Sequence, residues 1–104
     1  MIFANDINER IKKDFDLTQR EEVIMLFENN LKRGMNVGEG QFLRSLLFIA
    51  NGNIEKLKRE LSHLRDPRDI VMKAERTSGG LGHWFTIPFD EIELLNEKVK
   101  EGGN

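Results

Sequence analysis

Ser45-Leu46-Leu47-Phe48-Ile49-Ala50-Asn51-Gly52-Asn53-Ile54, followed after a leucine-bearing stretch by Asp66-Pro67-Arg68-Asp69-Ile70, decides the fold. Asn and Gly tolerate the left-handed backbone that closes a helix, so Asn51-Gly52 ends an apolar helix. Asn53 then offers its side chain as the cap of a second helix. Asp66-Pro67 opens a third, with the carboxylate as cap and the proline in the first turn, where an amide is not needed. Asp69 sits favourably at the positive end of that helix. The centre of the chain is therefore a helical packing unit with no catalytic group in a recognisable setting.

Working outward, Ile7, Ile11 and Phe15 recur every four positions, which predicts a short amphipathic helix over 6–15 capped by Asn5 or Asp6. Thr18 and Glu21 form a capping-box pair before Val23, Ile24, Phe27 and Leu31. With Lys32 and Arg33 at the negative end and Gly34 closing, the second helix is expected over 19–33. Residues 34–40 hold three glycines and read as a loop. Phe42, Leu43, Leu46, Leu47, Phe48, Ile49 and Ala50 are apolar nearly all round, as a helix enclosed by its neighbours must be.

Ile54, Leu57, Leu61 and Leu64 line one side of the fourth helix, opposite Glu55, Lys56, Lys58, Arg59 and Glu60. Ile70, Val71 and Ala74 give the fifth its packing face. Thr77-Ser78-Gly79-Gly80-Leu81-Gly82 ends it, and His83-Trp84-Phe85-Thr86-Ile87-Pro88-Phe89 lacks helical spacing and reads as extended. Asp90 caps a last helix with Ile92, Leu95 and Val99 on one stripe. The expected fold is all-α: one small domain over residues 1–104, of five to six helices with one short extended aromatic segment and a frayed tail at 101–104.

Composition narrows the function classes. Sixteen basic against 18 acidic residues leave a net charge of −2, which favours neither a duplex-DNA surface nor a polybasic membrane anchor. The charge is uneven: residues 54–76 carry seven basic and five acidic side chains, residues 90–104 two and five. There is no cysteine, hence no disulfide, thiolate metal site or thiol nucleophile. The N-terminal stretch lacks a basic region followed by an apolar one, and no apolar run approaches the roughly 20 residues of a membrane span. A cytoplasmic location is expected.

No catalytic, cofactor or metal site is expected. His63 and His83 lie outside any ligand motif and read as a polar helix position and a loop residue. Ser45, Ser62 and Ser78 lack a nucleophile-elbow context. The glycines at 79, 80 and 82 follow a helix and precede an extended segment, the reverse of a phosphate-cradling loop. Capping accounts for Asp66 and Asp69. The aromatic segment beside the acidic C-terminal helix is the candidate recognition surface, with Trp84, Phe85, Asp90, Glu91, Glu93 and Glu97 as partner-binding residues. The alternative for Trp84, Phe85 and Phe89 is closure of the core.

The run from Arg44-Ser45-Leu46-Leu47 through Ala50-Asn51-Gly52-Asn53-Ile54-Glu55-Lys56-Leu57-Lys58, continued by Asp66-Pro67-Arg68-Asp69-Ile70-Val71-Met72-Lys73-Ala74-Glu75, resembles a family of small uncharacterised bacterial helical proteins. That resemblance covers about a third of the chain and implies fold alone. In size, lack of cysteine, mildly acidic surface and absence of a catalytic constellation, the chain is also similar to immunity proteins of bacterial contact-dependent growth inhibition and related polymorphic toxin systems. The likeness implies stoichiometric neutralisation of a cognate toxin domain, frequently a nuclease, with the acidic helix meeting a basic cleft. At a net charge of only −2 the toxin class and the mode of blocking stay open. The alternative is a small nucleic-acid-associated regulator using Arg65, Arg68, Lys73 and Arg76, whose binding would weaken steeply with salt.

Overall fold

The punctuation at the centre of the chain is realised atom by atom. Asn51 (φ 46°) and Gly52 (φ 82°) take the left-handed backbone that closes a helix, and Asn53 accepts the Lys56 amide at 3.1 Å. Asp66 accepts the Arg68 amide at 3.0 Å, and Pro67 is the first residue of the helix it opens. In the computed structural model, which describes residues 3–31, 37–78 and 85–91, these signals separate α3 (Glu39–Ala50), α4 (Ile54–Ser62) and α5 (Pro67–Thr77). They are preceded by α1 (Asn5–Asp14) and α2 (Leu17–Asn30). The fold is all-α: among the described residues there are five helices, a further helical turn over 89–91, and no strand.

α3 is the central element, packed against α1, α4 and α5, while α2 packs against α1 and α4. Its Phe42, Leu46 and Leu47 are fully buried, as enclosure of an all-round apolar helix requires. Around it Ile7, Ile11, Phe15, Val23, Phe27, Leu57 and Ala74 complete one continuous core. Ridges from four other helices thus share the same apolar centre, and none could bury its stripe alone.

Helix boundaries depart from the sequence reading for identifiable reasons. α2 starts at Leu17 because Asp16, not Thr18, is the cap: its carboxylate accepts the Gln19 amide, and the Thr18 hydroxyl donates to the same carboxylate at 2.6 Å. At the other end α2 stops at Asn30 with Leu31 as C-cap, so the expected end at Arg33 was too late; Gly34 lies outside the described residues. Neither Asn5 nor Asp6 caps α1, whose N-cap is Ala4 with no side-chain bond. α3 begins within the expected loop, with Gly38 as cap and Gly40 inside the helix.

The joint between α1 and α2 is closed by Arg20. Its guanidinium donates to the carbonyls of Lys12 (2.9 Å) and Phe15 (3.0 Å), satisfying acceptors that the end of α1 leaves without helical partners. The aromatic segment also departs from expectation. Residues 85–86 form a 3₁₀ turn and residues 89–91 are helical, so the described part of the segment turns rather than extends. In this turned arrangement Phe85 and Phe89 are both buried, with their rings 6.3 Å apart.

Candidate functional site

A lone arginine inside an apolar helix needs a counter-charge, and Arg44 has one. Its side chain is only 8% exposed, and its guanidinium binds the Asp6 carboxylate through two parallel bonds, Nε to Oδ2 at 2.8 Å and Nη2 to Oδ1 at 2.9 Å. Fork-to-fork geometry of this kind fixes orientation as well as supplying energy. A third donor, Nη1, reaches the Phe85 carbonyl at 3.1 Å, and the Phe89 amide donates to Asp6 Oδ2 at 3.2 Å. One buried ion pair therefore holds α1, α3 and the backbone of residues 85–89 together.

Burial by itself pushes the Asp6 carboxyl up, but the bonds from Arg44 and the Phe89 amide and the guanidinium charge outweigh it and hold the group below the ordinary carboxylate value. Asp6 is therefore ionised in the folded protein at neutral pH. Gly40, one turn before Arg44, makes the arrangement possible, since a Cβ there would stand 2.9 Å from Arg44 Nη1. Gly→Ala within a helix normally gains up to about 1 kcal/mol. For Gly40→Ala that gain is expected to vanish or reverse, because the guanidinium is held by three bonds and cannot step aside freely; urea denaturation of the two chains measures it.

Over this network lies an open cavity of about 650 Å³ between α1 and residues 88–91. Pro88 and Phe89 form its apolar wall, Arg44 and Asp6 part of its floor, and Glu9, Lys13, Asp90 and Glu91 are exposed along its lining. Arg10 stacks over the Phe89 ring at 4.7 Å while its Nε binds Asp14 at 2.8 Å. The stacked guanidinium covers a ring already largely buried, a modest contribution at a partly exposed site.

Of the sequence-expected contact residues, Asp90 and Glu91 are exposed on this rim. Phe85 is a correction: it is 2% exposed, with its ring 5.2 Å from that of Phe48 and 6.3 Å from that of Phe89. It closes the core and presents no edge to a partner. Trp84, Glu93 and Glu97 lie outside the described residues, as does His83. Sequence reasoning missed Asp6, Arg44 and Gly40. The available signal was Arg44 itself, one cation in Phe42-Leu43-Arg44-Ser45-Leu46, four positions after a glycine.

The other candidates are accounted for locally. His63 is exposed, its Nδ1 within 2.9 Å of the Arg59 carbonyl, a helix-end contact. Ser45 is fully buried and its hydroxyl has no hydrogen-bond partner among the described residues. Within the basic set, Arg68 is held by Asp66 at 2.8 Å and Lys73 is paired with Glu60, while Arg65 and Arg76 are exposed. Among the described residues no group of three or more His, Asp or Glu could hold a metal ion, and no helix is long and apolar enough to cross a membrane. No protein family, curated protein or solved structure matches the chain.

Proposed function

We propose that this chain is a stoichiometric protein-binding module, an immunity protein that neutralises a cognate bacterial toxin domain in the cytoplasm without turning over a substrate. The observation that carries the reading is the presentation of Asp90 and Glu91: two exposed carboxylates on a segment whose backbone is tied at Phe85 and Phe89 to a buried ion pair. A recognition edge held in place before binding loses less ordering entropy when it docks. Carboxylates on such an edge favour a basic cleft, steering encounter and selecting against acidic partners. The likeness in size and composition to toxin-immunity proteins supplies the class of partner. The pairing of Arg68 and Lys73 with carboxylates weighs against a nucleic-acid surface on α5.

The test is protection of toxin-expressing cells by the Asp90→Lys, Glu91→Lys double variant. The expected result is loss of protection, with affinity for the toxin domain weakened at least about tenfold and the neutral Asn and Gln versions intermediate. Both side chains are exposed, so thermal stability should stay close to wild type. Full protection by the reversed variant would remove Asp90 and Glu91 from the interface.

A further inference from the structure

We propose that Asp6 and Arg44 are positioning residues: the pair sets where the Asp90 and Glu91 edge stands, and apolar replacements carry the stability without carrying the edge. The functional half of this rests on the reading of that edge as a recognition surface. The helical turn at 89–91 begins without a cap of its own. Pro88 stands in the cap position, and its ring offers no acceptor to the first-turn amides, which have no partners inside the helix. Asp6 supplies an acceptor from 83 positions away: its Oδ2 takes the Phe89 amide at 3.2 Å while also receiving Arg44 Nε at 2.8 Å. Asp90, which the sequence marks as the cap, falls inside the turn instead, with Glu91 next to it and both exposed. The turn is thus started by a carboxylate from α1, and the two exposed carboxylates follow at once on the amide it holds.

Arg44 fixes the approach. Its Nη2 on Oδ1 at 2.9 Å locks the plane of the carboxylate, and its Nη1 on the Phe85 carbonyl at 3.1 Å holds the chain just before the turn. Both ends of 85–89 are therefore referred to one planar pair, whose guanidinium stands on the central helix α3. Apolar contacts do not supply this. The Phe85 ring against Phe48 and Phe89 secures burial, but a core of apolar groups loses uniqueness before it loses stability, whereas parallel N–H to O bonds fix an orientation. A buried ion pair is worth little net stability against apolar groups of its own size, and selecting one register is its best-attested use.

The Asp6→Leu, Arg44→Met double variant separates the two roles, using the full chain, isotopically labelled. Its stability in urea is expected to lie close to wild type, while exchange of the Phe89 amide, followed by NMR, accelerates at least about tenfold beyond any change in α3. In wild type the Phe89 amide is expected to exchange at least about tenfold more slowly than those of Asp90 and Glu91, relative to their intrinsic rates, a comparison that needs no variant to fold. The double variant is also expected to stop protecting toxin-expressing cells although it is folded. A Phe89 amide that exchanges like its two neighbours in wild type, or that keeps its slow exchange in the double variant, would overturn the positioning role. Full protection of cells by a folded double variant whose Phe89 amide exchanges fast would overturn its part in recognition. The exchange measurements use the chain alone, so they decide the positioning role even where wild type protects no cells, the outcome that overturns the immunity reading itself.

Discussion

Arg44→Ala is expected to cost about 3–5 kcal/mol of folding stability, because it strands the Asp6 carboxylate, 12% exposed, beside an apolar helix with its counter-charge gone. That is a large share of the roughly 5–15 kcal/mol that holds a small domain folded. The variant also frees the Phe85 carbonyl and leaves a void beside Gly40, whose lack of a side chain is matched to the guanidinium. Replacing both partners by apolar residues, Asp6→Leu with Arg44→Met, is expected to recover most of the loss, since buried ion pairs barely repay their desolvation. Urea unfolding of the two variants checks both expectations. A cost for Arg44→Ala below about 1 kcal/mol would place the pair with exposed surface ion pairs instead.

The same pair sets part of the acid response. Asp6 has a folded pKa below its unfolded value, so it contributes stability that is complete above the ordinary carboxylate pKa of about 4 and is lost as pH falls through the folded pKa. Asp6→Asn, which cannot titrate, should therefore unfold at a lower stability at neutral pH and with a shallower dependence on pH in the acid range.

Phe85→Ala carries the second large effect, about 3–5 kcal/mol, the usual cost of emptying an aromatic site in a packed interior. Its ring is enclosed between Phe48 and Phe89 at edge and tilted geometries, so its removal withdraws contacts from both α3 and the 89–91 turn. A contact residue on an exposed edge would behave otherwise, shifting stability by no more than about 0.5 kcal/mol while weakening a partner. Thermal denaturation separates the two: each 1 kcal/mol lowers the melting temperature of a domain this size by about 4 °C or more.

What the sequence discloses and what it hides divide along the range of the interactions. Asn51-Gly52, Asn53 and Asp66-Pro67 act within four residues of themselves, and the helix ends they dictate are those observed. The periodic stripes of α1, α3, α4 and α5 likewise bury most of the residues their spacing selects, although Phe48, Leu64 and Val71 are only half-buried and Leu64 lies beyond the end of α4. Competition between two nearby caps misled at α2, where Asp16 outdoes Thr18 by using the threonine hydroxyl as a donor. The Asp6 and Arg44 pair joins positions 38 apart, and the Phe89 amide joins Asp6 across 83, separations at which no local pattern speaks. Asp6 read as a cap for that reason. Phe85 shows the same limit, since an aromatic residue between glycines and an acidic helix is equally suited to a core or an interface until the packing is seen.

The most direct test of the binding role is to co-express the chain with the products of its two neighbouring genes and determine the mass of what co-purifies by size exclusion with light scattering. A stable one-to-one complex with a toxic domain is the predicted result. An unassociated monomer, eluting apart from a toxin domain that stays active in its presence, would contradict the immunity reading.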